Sequence, residues 1–318
     1  MTNIDFTYFY KHKFNSVCDL VSGRSYDFFI SFNSESERVL KIYKHIDSPN
    51  RIWIVNELNL FTSTSNHFIL TGNDNDDAHN LITVNNITKS SSICIDITGF
   101  PVTFLFLLLK NLQLNDMLHF DCIYSEPRTY NQKEHTKFTE DFIEVKQIEG
   151  FEGIHNTFDD SNDILIIASG YDHSRIIDVC KNKGSAKKIQ LFGLPSLQPD
   201  FYQENIIKTE KASEELGHPN FNDFDFNIFA PANDPFATAQ ELKLFIEKIN
   251  GRKKITNIYL SPLSTKAQAL GFALYYLWEC ENEAVSIIYP FCNKTFGNTS
   301  RGISNISLFQ IELPSSTI

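Results

Sequence analysis

The sequence predicts an α/β protein made of two tandem Rossmann-like domains, each a parallel sheet covered by helices, related by internal duplication. Three observations carry this. Short apolar runs bounded by turn residues alternate with longer helical runs, the order of a parallel sheet buried on both faces. The 318 residues suffice for two cores, and 42% hydrophobic with 21% charged residues is a globular balance. The halves also echo one another: FFISFNSESERVLKIYKHI resembles LIIASGYDHSRIIDVCKNK, setting Arg38 opposite Arg175, a shift of 175 − 38 = 137. Further on, ICIDITGFP matches YLSPLSTK with Pro101 opposite Lys266, 266 − 101 = 165, and the Ile123–Tyr124 and Ile288–Tyr289 pairs keep that shift, 288 − 123 = 165. The growth places an insertion of 165 − 137 = 28 residues in the second copy, or a matching loss in the first. The domains are read as 1–140 and 160–318.

In the first copy, residues 1–25 show no clear period. Residues 26–31 (YDFFIS) form a strand, and a helix runs to His45, with Ser34 or Ser36 as cap and Glu35 or Glu37 favouring its positive end. RIWIV (51–55) is a second strand. The stretch to Ser92 is rich in Asn, Asp, Ser and Thr, with HFILTG and LITV as strand-like islands. SICIDI (92–97) is a buried strand, and Thr98, Gly99 and Pro101 turn it into an apolar helix over 102–112, where proline's missing N–H is not needed. HFDCIY (119–124) is the next strand and SEPRTY a following loop. Residues 131–163 hold the domain connection.

The second copy opens with ILIIA (164–168), the turn SGYDHSR and a helix to Lys183. KIQLF (188–192) is a strand, 201–216 a polar helix and 226–229 a short strand. NDPFATAQELKLFIEKI has an Asn or Asp cap, a first-turn proline and helical apolar spacing. Residues 257–277, NIYLSPLSTKAQALGFALYYL, read as strand, polar turn and helix. AVSIIY (284–289), a turn at 300–302 and a closing strand at 306–313 complete the copy.

Ser264, Thr265 and Lys266 are the sharpest site signal. A strand that stops at two hydroxyls and a lysine and then launches a helix gathers backbone N–H groups, the positive helix end and a cation at one point, which suits a phosphate; a helix cap beside a solvated lysine has the same sequence. In α/β sheets ligands sit beyond the carboxyl ends of strands, which also selects Ser169, Asp172 and Arg175 in the SGYDHSR turn and Arg301 in the late turn. Arg38 and Arg175 each stand near a helix start, where the dipole does not help them, so each seeks a ligand anion or an internal partner. Asp96 and Asp121 could form a metal or acid–base pair, or cap turns. No Walker loop, dinucleotide glycine fingerprint or zincin helix is present, and no metal site or cofactor is assigned.

Other classes recede on composition. A net charge of −11 opposes general duplex binding. The six cysteines are widely spread, several within apolar runs, and read as buried thiols in a reducing cytosol. The N-terminus lacks signal-peptide order, and the apolar run 100–109 is about half of a bilayer span, so a soluble cytoplasmic chain without membrane contact is expected.

At SPLSTKAQALG the chain resembles CARF and SAVED-type domains, the Rossmann-like sensors of bacterial antiviral defence. The likeness extends more loosely over 164–313, with Leu263 and Ser264 standing where those families carry a glycine pair. It implies a nucleotide or oligonucleotide second messenger bound at Ser264, Thr265 and Lys266, and a protein effector as partner. GYDHSR, DITGF and YSEPRTY also resemble segments of two-domain bacterial proteins of no assigned activity. Three functions are therefore carried forward: a non-catalytic nucleotide sensor, a scaffold docking an ATPase or nuclease, and a nucleotide-acting enzyme with Asp96, Asp121, Asp172 or His173 as acid–base candidates.

Overall fold

The computed structural model describes residues 4–34, 36–56, 66–130, 139–170, 172–198, 201–217, 226–295 and 300–316. Glu35, Tyr171 and part of the expected connection, 131–138, lie outside the described residues. The chain is α/β, with a seven-stranded and a six-stranded sheet of mostly parallel strands. Two compact units hold them: a first of Phe9–Asn131 with Gly297–Ile318, and a second of Met1–Tyr8 with Gln132–Phe296. No described helix is long and apolar enough to cross a membrane.

In the first unit the elements are β1 (Lys11–Phe14), α1 (Val17–Val21), β2 (Phe28–Phe32), α2 (Glu37–His45), β3 (Asn50–Val55), β4 (Asn66–Ile69), α3 (Asp74–Val84), β5 (Ile93–Asp96), α4 (Val102–Leu114) and β6 (His119–Tyr130). Helix α2 turns Val39 and Ile42 inward, carries Glu37 in its first turn and Lys44 and His45 in its last, and takes Ser36 as N-cap. The LITV island is not a strand. It ends α3, which Asn73 caps by accepting from the Asp76 N–H, with Asp74, Asp76 and Asp77 in the first turn and Ala78, Leu81 and Ile82 buried at helical spacing. SEPRTY is likewise no loop but the continuation of β6.

The second unit runs β7 (Thr139–Gln147), β8 (Ile164–Ala168), α5 (His173–Asn182), β9 (Lys187–Gly193), α6 (Phe201–Glu210), α7 (Ser213–Leu216), β10 (Asn227–Ala230), α8 (Pro235–Arg252), β11 (Ile258–Pro262), α9 (Lys266–Glu279) and β12 (Val285–Thr295). The polar helix expected over 201–216 is therefore two helices. Asp234 caps α8, its carboxylate accepting from the Phe236 and Ala237 N–H groups, with Pro235 at the first position.

The last strand, β13 (Ser300–Glu312), corrects the domain boundary and the expected turn at 300–302. It starts at Ser300, pairs antiparallel with β6 and β1, and belongs to the first unit. The reciprocal holds for β7, which follows β6 in sequence yet pairs antiparallel with β12. Each copy thus ends in a strand that joins the other copy's sheet.

Strand order and register establish the duplication. The first sheet reads β13-β6-β5-β2-β3-β4 after its extra edge strand β1, and the second reads β7-β12-β11-β8-β9-β10 in the same sense. Ile123, Tyr124 and Ser125 face Leu308, Ser307 and Ile306, while Ile288, Tyr289 and Pro290 face Gln147, Lys146 and Val145. The parallel strands keep 288 − 123 = 165 and the exchanged strands keep 308 − 147 = 161, across an irregularity at the same place in both. In the first strand Phe28 faces Ile93 and Ile164 faces Ile258, so the shift there is 164 − 28 = 136, one less than for the arginines, and the extra residue lies in the turn. Most of the insertion falls between β9 and β10, where residues 194–226 replace 56–65 and supply α6 and α7.

Candidate functional site

In the second unit β8 and β11 are neighbours, while the chain leaves them for β9 on one side and β12 on the other. This reversal is the switch point of the sheet, and the turns after β8 and β11 meet there. A Cβ on Gly170 would lie 2.0 Å from the Leu263 carbonyl oxygen and 3.3 Å from Ser264 Cα, so only glycine lets the turns approach this closely. Ser169, which precedes Gly170, and Ser264, which Thr265 and Lys266 follow, therefore stand in the two turns that meet.

Their roles separate on geometry. Thr265 is the N-cap of α9: its hydroxyl oxygen accepts from the Gln268 N–H at 3.1 Å and donates to the Ala232 carbonyl. Ala269 N–H closes the first intrahelical bond to the Thr265 carbonyl at 2.9 Å, which leaves the Lys266 and Ala267 N–H groups outside the helical ladder. Ser264 and Lys266 are half-buried. Ser169 is fully buried, its hydroxyl donating to Gln190 Oε1 at 3.0 Å and its carbonyl accepting from Asn205 Nδ2 at 2.5 Å. Gln268, also fully buried, donates through Nε2 to the Ala230 carbonyl at 3.2 Å.

Two predicted residues serve the scaffold. Asp172 is the N-cap of α5 without a side-chain cap bond and accepts from the Ser174 hydroxyl at 2.5 Å. Arg175 is buried, lies over the Tyr289 ring at 4.5 Å and donates to the Pro290 carbonyl at 3.4 Å. Its counterpart Arg38 donates to the Ser125 carbonyl and, at 3.0 Å, to the Ser300 hydroxyl. Ser125 and Pro290 are equivalent positions, 290 − 125 = 165, so both arginines tie a helix start to the carbonyl after the Ile–Tyr pair. Arg301 does not belong with the lysine turn: it is exposed, sits on β13 opposite Thr129, and lies in the first unit.

The first unit's switch point, between β2 and β5, holds a different set. Asp96 is fully buried at the end of β5; Oδ1 accepts from the Thr98 N–H at 3.0 Å, while Oδ2 has no hydrogen-bond partner. Burial pushes its carboxyl up to about 6, with the Thr98 hydrogen bonds and Arg38 pulling the other way. Ser31, its register partner on β2, and Ser125 on β6 are fully buried with unpartnered hydroxyls. Asp121 is not paired with Asp96, since it accepts from the Tyr26 hydroxyl at 2.6 Å, and no group of three or more His, Cys, Asp or Glu among the described residues could hold a metal. An open cleft of about 310 Å³, lined in part by Ser16, Glu37, Lys41, Arg128 and Gly302, lies on the same unit, with the Glu37–Lys41 ion pair in its wall.

Sequence reasoning missed Gln190, Asn205 and Gln268. The available signal was a lone glutamine inside the apolar run KIQLF. No family model, curated protein or solved structure matches this chain.

Proposed function

We propose that this protein is a non-catalytic regulatory subunit of bacterial antiviral defence that binds a phosphate-bearing, nucleotide-like ligand at the switch point of the second unit and controls an effector protein. One observation carries the binding: α9 opens with Lys266 just after a glycine-permitted contact between two strand-end turns, so amides outside the ladder, the helix dipole and a cation stand at one helix end. The length of α9, 14 residues, gives that end the full dipole of a several-turn helix. The resemblance to CARF and SAVED-type sensors supports the defence role and the nucleotide class.

Isothermal titration calorimetry with a panel of nucleoside monophosphates, cyclic nucleotides and short oligonucleotides tests this on wild type and Lys266→Ala. Loss of one charge-assisted contact, about 1.5–3 kcal/mol, weakens binding roughly 10- to 100-fold. Equal affinity in both proteins, or no binding by either, removes the proposal and leaves the scaffold reading, in which an effector docks without ligand.

A further inference from the structure

We infer that the open cleft of the first unit binds a small zwitterion with a branched apolar side chain, an α-amino acid of the leucine class; this is independent of the phosphate-binding proposal above. The cleft, about 310 Å³, lies among the start of α1, the outer side of α2, and the strands β6 and β13, all within one unit. That volume is at the lower end of small-molecule sites, about 300–1,000 Å³, so the guest is small. Its apolar lining is Val17, Ile303 and Ile306; Ile306 is fully buried in the unit's core, and the other two, half-buried, pack against that core. Its charged lining is exposed and of both signs: Lys41 and Arg128 against Glu37.

The irregularity in β13 between Ile303 and Ile306 sets these charges in place. Gly302, just before it, has φ +64°, and a Cβ there would lie 3.3 Å from Arg128 Cβ, so the glycine leaves room for the arginine stem along β13. Arg128 Nη2 donates to the Ile303 carbonyl at 3.4 Å, and among the described residues the rest of the guanidinium fork is left for a carboxylate. Glu37 lies 2.5 Å from Lys41 Nζ and accepts from the Gly302 N–H, and these donors hold its carboxyl below the ordinary range. A lone carboxylate would meet repulsion from Glu37, and a lone amine repulsion from Lys41 and Arg128. A guest carrying both charges satisfies both, its carboxylate on Arg128 and its ammonium beside Glu37, while its side chain covers Val17, Ile303 and Ile306.

The fold does not require this set. The second copy keeps the strand irregularity but replaces Glu37 with Ser174 (37 + 137), Lys41 with Asp178 (41 + 137), Arg128 with Asn293 (128 + 165) and Gly302 with Asp141 (302 − 161). The positions that hold strands together are shared, and those that charge the cleft are not.

Calorimetry with L-leucine on the full chain tests this, with glycine, L-leucinamide and 4-methylpentanoate as probes that lack the side chain, the carboxylate and the ammonium in turn. Wild type binds leucine at least tenfold more tightly than any of the three. Arg128→Gln weakens leucine at least tenfold. Glu37→Gln weakens leucine but strengthens 4-methylpentanoate, because it removes the repulsion and frees Lys41, a reversal that loss of fold cannot produce. Leucinamide or 4-methylpentanoate binding wild type as tightly as leucine overturns the zwitterion reading. Leucine affinity unchanged in both variants, or no leucine binding by wild type, overturns the site, and none of these outcomes bears on phosphate binding at Lys266.

Discussion

Replacing Asp96 by asparagine should stabilise the first unit at neutral pH, and by an amount that depends on pH in a stated way. Burial raises the folded carboxyl from its ordinary 3.8 to about 6, roughly two units at 1.36 kcal/mol each, or about 3 kcal/mol. Between those values the folded protein keeps a proton that the unfolded chain has released. Stability therefore falls as pH rises through the window, and the contribution present below pH 3.8 is lost above 6. Asparagine retains an oxygen for the Thr98 N–H and carries no charge to desolvate. Asp96→Asn should match wild type near pH 3.5 and exceed it by about 3 kcal/mol at pH 7.5, with the difference opening between. The chain has two tryptophans: Trp53 on β3 in the first unit and Trp278 on α9 in the second. In a Trp278→Phe background, urea unfolding followed by fluorescence reports the first unit alone. A difference that stays flat with pH, or a variant less stable at pH 7.5, would refute the assignment of a desolvated carboxylate at this position.

Two further predictions concern the scaffold. Gly170→Ala places a methyl group 2.0 Å from the Leu263 carbonyl, a backbone atom that no rotamer change can move, so the two turns must part. A loss of about 3 kcal/mol or more follows, read as a fall in Tm by calorimetry, and an unchanged Tm would show that the turns do not touch. Truncation after Phe296 removes β13, leaves β6 without its antiparallel neighbour and strips Ile306, Leu308, Phe309 and Ile311 from the first unit's core. The Trp53 transition should then disappear while the Trp278 transition persists; the reverse result would return β13 to the second unit.

What the sequence made legible follows from where information is local. ICID, ILII and IYLSP are buried on every side chain, and such runs have few alternatives to a central parallel strand. LITV is a comparable run, but it closes the polar stretch DNDDAHN, and the deciding signal was there, in the Asn73 cap and the aspartates after it. The arginine pair was visible, yet its purpose was not, because a carbonyl on a distant strand has no sequence signature. The exchanged strands were invisible for a related reason: alternation identifies a strand without naming its neighbour. The lysine turn could be found because cap, cation and helix are contiguous, whereas the buried amides of Gln190, Asn205 and Gln268 gain their partners only when separate elements pack.

The two copies show which positions the fold requires and which it leaves to function. Both keep the arginine that reaches the carbonyl after the Ile–Tyr pair, the register of the exchanged strand and its irregularity, all of which hold strands together. They part at the strand ends. Asp96 corresponds to Ser261, 261 − 96 = 165, and Pro101 to Lys266 at the same shift. Proline brings neither an N–H nor a charge to its helix start, and a buried carboxylate nearby repels an anion. The first unit's switch point is therefore unsuited to the phosphate proposed for the second. An anion added to this chain should find one site, and the calorimetric stoichiometry of a nucleotide should be about one per chain rather than the two that duplication alone would give.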